Sequence, residues 1–215
     1  MQRHGMETNW AAEHLQTIRT LMERSALYRR ALAPIMIFVG IAGVAGGALG
    51  WLLKINSERG FILFWLGIAA FALIGSFLLV RRQALKDSET FWSPPAKRIA
   101  TALLPPFSIG AFISIVVLLG RDEGDLMGDE NIMLIVSWFW LYGCAIHSAG
   151  FFMPGRSRLF AWPFVLAGGI LFCSLSHAEW LLNVSHHLLM ATVFGGLHLA
   201  YGIYLYFTEQ RKNAA

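Results

Sequence analysis

The chain alternates between long apolar runs and short polar segments. Six apolar runs cover roughly residues 31–53, 60–80, 99–120, 131–153, 159–176 and 187–207. A helix needs about 20 apolar residues to cross a hydrocarbon core of about 30 Å, and each run is close to that length. The pattern therefore predicts an all-α integral membrane protein with a bundle of six transmembrane helices.

The basic residues of the polar segments fall mostly on one side of this arrangement. If the N-terminus is cytosolic, 14 of the 17 Lys and Arg residues are cytosolic and 3 are external. The cytosolic set is Arg3, Arg19, Arg24, Arg29, Arg30, Arg81, Arg82, Lys86, Lys97, Arg98, Arg156, Arg158, Arg211 and Lys212, and the external set is Lys54, Arg59 and Arg121. Basic residues accumulate on the cytosolic side of membrane proteins. We therefore expect both termini in the cytosol, in a bacterial plasma membrane.

Polar segments precede and follow the six runs, which divides the chain into three parts. Residues 1–30 form a cytosolic N-terminal segment, residues 31–208 the transmembrane domain and residues 209–215 a cytosolic tail. Within the first part, apolar residues recur near helical spacing, namely Trp10, Leu15, Ile18, Leu21, Met22 and Leu27. The spacing predicts an amphipathic helix over 8–30, either lying on the membrane surface or docking a cytosolic protein or a second copy of the chain.

Composition excludes several classes of protein. With 56% hydrophobic and 14% charged residues, the chain has little sequence left for a soluble domain. The net charge of +4 does not indicate nucleic-acid binding, because the basic residues flank membrane ends, where anionic lipid is their partner. Cys144 and Cys173 lie at different depths in the predicted spans, which argues against a disulfide.

Small residues and prolines predict local features of two helices. Ala42, Gly46 and Gly50 form a stripe at four-residue spacing in the first run, which favours close packing against another helix. Pro105 and Pro106 remove two neighbouring backbone donors from the third run. We expect the third helix to kink at this pair or to begin there.

Two histidines deep in the predicted spans are candidate cofactor ligands. His147 shares a helix face with Gly143 and Gly150, and glycines at 195 and 202 flank His198 in the same way. Two imidazoles at similar depth, each with free space beside it, could bind haem b, and a quinone could use the same groups. Alternatively, each histidine hydrogen-bonds a neighbouring helix.

The external segments offer a candidate metal site. An acidic loop at 121–130 and the last external segment are predicted on the same side of the membrane, and the latter contains His177, Glu179, His186 and His187. Imidazole and carboxylate groups are suitable ligands for zinc or a similar ion. Their spacing matches no known metal motif. The alternative is a solvated acidic loop beside an interfacial segment.

The functional interpretation depends partly on what the sequence lacks. The predicted spans contain no Asp or Glu, which argues against proton- and sodium-coupled carriers. Neither a nucleotide-binding motif nor a convincing catalytic set is recognisable. We therefore expect a non-enzymatic sensor or regulatory subunit in the lipid bilayer that signals to a cytosolic partner through 8–30 and 81–98, either as a single copy or as a homo-oligomer. The alternatives are an electron carrier with haem b or quinone at His147 and His198, and a small permease.

Overall fold

A computed structural model describes residues 31–88, 91–120, 130–153, 157–175 and 184–213. These residues form helices joined by turns, without strands. Six of the described helices are long and apolar enough to cross a membrane. The prediction of an all-helical chain with six such helices is confirmed, and the helices indicate a multi-pass membrane protein. The amphipathic helix expected over 8–30 lies outside the described residues.

The six helices follow the six apolar runs in order. They are α1 (Ala31–Leu52), α2 (Glu58–Lys86), α3 (Pro94–Leu119), α4 (Glu130–Ala149), α5 (Trp162–Ser174) and α6 (residues 186–213). A 3-10 turn at Ser157–Ala161 precedes α5. Within α6, the segment Ala191–Gly196 is π-helical and separates two α-helical parts.

Two helices extend beyond their apolar runs. α2 continues past Arg81 and Arg82 to Lys86, and α3 begins at Pro94, well before its run at 99. Long basic side chains can reach the membrane surface from a helix that leaves the hydrocarbon core. Apolar length therefore marks the membrane-crossing part of a helix and not its ends. At Pro94 the missing backbone donor costs little, because the first turn of a helix has unpaired donors anyway.

The double proline lies inside a continuous helix. α3 runs as one helix from Pro94 to Leu119 with Pro105 and Pro106 in its interior. The expectation that this helix might begin at the proline pair is therefore wrong. The two prolines leave the carbonyls of Thr101 and Ala102 without their helical donors, and the helix continues through this point.

α1 and α6 cross at very close range. A Cβ atom added at Gly195 would lie 2.5 Å from the backbone nitrogen of Val44, and one added at Gly43 would lie 2.7 Å from Gly195 Cα. Glycine is required here because the two backbones meet directly. The predicted stripe divides between two partners: Gly50 contacts the ring of His187 on α6, whereas Gly46 faces Ile68 on α2.

Burial is unequal among the helices. In the most apolar stretch of α4, half of the residues are buried, against 17% in α2 and 11% in α3. α4 is therefore the centre of the packed core, where Ile135, Phe139 and Phe164 are almost fully buried. Most of the surface of α2 and α3 lies outside the core, and these two helices form one wall of a cavity.

Candidate functional site

An apolar cavity of about 500 Å³, partly open to the surroundings of the bundle, lies between α1, α2, α3, α4 and α6. Its volume falls within the range of roughly 300–1,000 Å³ that is common for small-molecule sites. The wall is mainly aliphatic and aromatic, with Ser76 and Ser114 among its few polar residues. Met36, Leu73, Leu103, Leu141 and Met190 represent the five helices. A site of this composition suits an apolar ligand.

The cavity is elongated along the helices. Its lining residues extend along α2 from Trp65 to Val80 and along α3 from Ile99 to Ser114, about 22 Å in each case at 1.5 Å per residue. Val80 and Ile99 lie at the same end, because α3 begins close to where α2 ends. We call this the loop end and the opposite end, at Trp65 and Ser114, the aromatic end. The cavity is longer than one leaflet, which is about half of a 30 Å hydrocarbon core.

The polar atoms at the aromatic end are already hydrogen-bonded. The Trp138 indole N–H donates to the Ser114 hydroxyl oxygen at 2.9 Å, and that hydroxyl donates to the Gly110 carbonyl at 2.7 Å. Ser114 is fully buried. These bonds satisfy the polar groups of the wall internally, so this end does not demand a polar ligand.

Tyr142 connects the cavity wall to a buried histidine on α6. The Tyr142 ring lines the cavity and stacks on Phe107, with the ring centres 6.0 Å apart. Its hydroxyl hydrogen-bonds His198 Nε2 at 2.5 Å, and His198 Nδ1 bonds the Phe194 carbonyl at 2.7 Å. A carbonyl only accepts, so Nδ1 carries the proton and Nε2 accepts from Tyr142.

Trp65 makes the equivalent connection to His187, at the start of α6. The Trp65 ring lines the cavity, and its indole N–H donates to His187 Nδ1 at 3.1 Å. The second nitrogen, Nε2, then carries a proton and donates to the Ile55 carbonyl at 3.0 Å. His187 is 3% exposed and lies against Gly50 of α1. The contact therefore joins α2, α6 and the turn after α1.

These two connections bracket the π-helical segment of α6. Met190 and Phe194 also line the cavity, and they lie between His187 and His198 in the sequence. Single π-helical turns inside α-helices are frequent at functional sites. α6 thus contacts the cavity directly through Met190 and Phe194, and it is hydrogen-bonded to two aromatic residues of the cavity wall, Trp65 and Tyr142.

The two candidate cofactor ligands have different surroundings. His198 is fully buried, with Tyr142, Phe160, Phe164 and Phe194 around its ring. His147 is half-buried, and its ring contacts Phe151 and Trp162, which are exposed at the surface of the bundle.

The glycines beside these histidines are occupied by neighbouring helices. A Cβ atom added at Gly202 would meet Ile37 of α1, and one added at Gly150 would meet Arg158, both at 2.7 Å or less. The space that was expected for a macrocycle is therefore used for helix packing. Haem or quinone at His147 and His198 stays a prediction, and a ligand at His198 would have to replace Tyr142 or the Phe194 carbonyl.

The candidate metal ligands are only partly within the described residues. His177 and Glu179 lie outside them. His186 contacts the Phe61 ring, and both nitrogens of His187 are hydrogen-bonded to Trp65 and Ile55. Within the described ranges, no group of three His, Cys, Asp or Glu residues could hold a metal ion. The metal site stays a prediction.

The sequence interpretation missed most of the cavity. Trp65 and Ser114 were not singled out, although a tryptophan and a serine within apolar runs are polar groups that need partners in lipid. Gly110 and Ser114, four residues apart, share a helix face toward Trp138. Trp138 and Tyr142, one helical turn apart in the fourth run, also line the cavity.

Comparisons with protein-family models, with curated proteins and with solved structures gave no match for this chain.

Proposed function

We propose that this protein is a non-enzymatic, multi-pass membrane protein that binds a lipid-like molecule in the cavity and acts as a sensor or regulatory subunit. The observation that carries the proposal is the apolar cavity of about 500 Å³ inside the bundle. A membrane supplies apolar molecules at high concentration, and the cavity between the helices is partly open to them.

The wall favours an apolar ligand over a polar one. The Ser114 hydroxyl is hydrogen-bonded to Trp138 and to the Gly110 carbonyl. The Tyr142 hydroxyl is hydrogen-bonded to His198. A ligand whose polar group entered this region would have to break these bonds or leave its own group unpaired, which costs roughly 1–3 kcal/mol. A hydrocarbon chain has no such cost.

The same wall offers a route from ligand to helix position. Trp65 and Tyr142 contact the cavity on one side and hydrogen-bond His187 and His198 of α6 on the other. A ligand shifts a conformational equilibrium only by binding one state more tightly than another. A ligand that favours one position of these two rings therefore biases the position of α6.

We further propose that both termini and the segment 81–98 are cytosolic and that a helix over 8–30 and this segment transmit the signal to a protein partner. The distribution of basic residues supports the orientation. α1 begins at the loop end of the cavity, and the 81–98 segment joins α2 to α3 there. The part of the 81–98 segment that the structure describes therefore lies at the loop end of the cavity.

Filling the cavity tests the proposal. A Cβ atom added at Gly110 would have its nearest contacts at 3.6 Å from Leu141 and 4.0 Å from Trp138, so Gly110→Leu places a side chain there without a backbone clash. The control is Gly67→Leu, since Gly67 is exposed on α2 and has no atom within 4 Å of an added Cβ. Mass spectrometry would identify apolar molecules that copurify with each variant.

We expect wild type and Gly67→Leu to retain the same molecule and Gly110→Leu to lose it. Equal retention by all three proteins would show that the cavity is not the binding site. The signalling part has a separate test: a cross-linked cytosolic protein should disappear on deletion of residues 8–30 and change in yield in Gly110→Leu. A yield that is unaffected by both changes would contradict it.

A further inference from the structure

The charge at the loop end of the cavity bears on the identity of the ligand. On α2, Val80 lines the cavity and Arg81 and Arg82 follow it directly. On α3, Ile99 lines the cavity, and Lys97 and Arg98 precede it directly. The four basic residues are all exposed, and we call them the basic rim.

The lining residues at the opposite end have no basic residue next to them in the sequence. The aromatic end is built from Trp65, Ser114 and Trp138, whose polar atoms are bonded to other groups of the protein. The carboxylate of Asp87 is also near the loop end, where it accepts from the Gln83 side chain at 3.0 Å. The loop end therefore carries four exposed cations and one nearby acid, whereas no charged residue is adjacent in the sequence to Trp65, Ser114 or Trp138.

The shape of the site matches an amphiphile. The lining extends about 22 Å from Val80 to Trp65, and one leaflet of hydrocarbon is about 15 Å thick. A hydrocarbon chain of leaflet length therefore fits along the cavity with its end near the aromatic residues. A head group attached to that chain would lie at the loop end, beside the basic rim.

We infer that the cavity takes the hydrocarbon chain of an anionic amphiphile whose phosphate or carboxylate head pairs with Arg81, Arg82, Lys97 and Arg98. This inference rests on the proposed function and adds the chemical class of the ligand. Arg binds phosphate and carboxylate with paired hydrogen bonds, and Lys contributes a compact charge. The long basic side chains can hold such a head at the membrane surface while the chain stays in the cavity.

The test uses three probes that share one hydrocarbon chain. Detergent-purified protein is incubated with oleyl phosphate, oleate or oleyl alcohol, and retained probe is counted by native mass spectrometry. The variants are Arg81→Gln with Arg82→Gln, Lys97→Gln with Arg98→Gln, and Gly110→Leu. The control is Lys54→Gln with Arg59→Gln, which removes two exposed charges near the opposite end of α2.

We expect both anions to bind more tightly than the alcohol. Each rim variant should weaken the anions by roughly fivefold per charge removed and leave the alcohol unchanged, whereas the control variant should behave as wild type. Gly110→Leu should weaken all three probes. Tighter binding of oleyl phosphate than of oleate would identify a phosphate head, and the reverse order a carboxylate head.

Two results would overturn the inference in distinguishable ways. Equal binding of anions and alcohol, unaffected by the rim variants but lost in Gly110→Leu, would reject the anionic head and leave the proposed function in place. Anion binding that survives in Gly110→Leu and is lost in the rim variants would mean surface ion pairing without use of the cavity. That result would reject both proposals. Because all four rim residues are exposed, we expect these variants to fold as wild type does.

Discussion

Trp65 donates its indole N–H to Nδ1 of His187 at 3.1 Å, and this bond links the wall of the cavity on α2 to the beginning of α6. The pair is nearly inaccessible, with 3% of each residue exposed. The same imidazole donates to the Ile55 carbonyl in the turn between α1 and α2. Three parts of the bundle thus meet at one ring, and the ring is held in one tautomer.

Removal of the indole donor should destabilise the bundle. In Trp65→Phe, His187 Nδ1 becomes a buried acceptor without a donor, which costs about 1–3 kcal/mol. We expect a lower midpoint of thermal unfolding in detergent. Trp51→Phe is the matched control, because Trp51 is 53% exposed on α1. Equal midpoints for the two variants would show that the bond contributes no stability.

Two adjacent glycines of α6, Gly195 and Gly196, allow the close crossing of α1 and α6 to be tested. In Gly195→Ala the added methyl would lie 2.5 Å from the Val44 nitrogen, whereas in Gly196→Ala its nearest neighbour is 3.8 Å away. Alanine favours a helix by about 1 kcal/mol over glycine, so Gly196→Ala should be neutral or stabilising. Gly195→Ala should separate the two helices and lower the unfolding midpoint. The same midpoint in both variants would contradict the close crossing.

The hydrogen bonds of His198 lead to a spectroscopic prediction. Both ring nitrogens are engaged, by Tyr142 and by the Phe194 carbonyl, so we expect purified protein from haem-supplied cells to show no Soret band. Oxidised and dithionite-reduced absorption spectra would check this. A Soret band that is lost in both His147→Ala and His198→Ala would instead support the electron carrier with haem b. Tyr204→Phe, at an exposed tyrosine of α6, serves as the control.

The proposed orientation can be tested by labelling. In a background with Cys144→Ser and Cys173→Ser, we expect Lys54→Cys to react with a membrane-impermeant maleimide in intact cells. Ser88→Cys should react only after permeabilisation, because it lies at the other end of α2. Both positions are exposed, so accessibility within the protein does not distinguish them. The opposite pattern would reverse the orientation and move the basic rim to the external leaflet.

Parts of the cavity could have been anticipated from the sequence. Trp138 and Tyr142 are four residues apart in the fourth run, which places them on one helix face, and both line the cavity. His198 was recognised as a deep polar residue that needs either a ligand or a hydrogen-bond partner. Its partner, Tyr142, is 56 residues away, and no local pattern indicates such a pairing.

The sequence by itself determined how many helices in the described part of the chain are long and apolar enough to cross a membrane, because apolar length and the cost of burying charge in lipid act on each segment separately. Those are local properties, and six runs became six helices. Only the tertiary structure decided which residues share the cavity and which glycines meet another backbone. Gly43 and Gly47 face α6 while Gly46 faces α2, although all three belong to one small-residue stretch. Those pairings depend on how the helices are arranged and rotated around one another, and that is fixed by packing between segments that are distant in the chain.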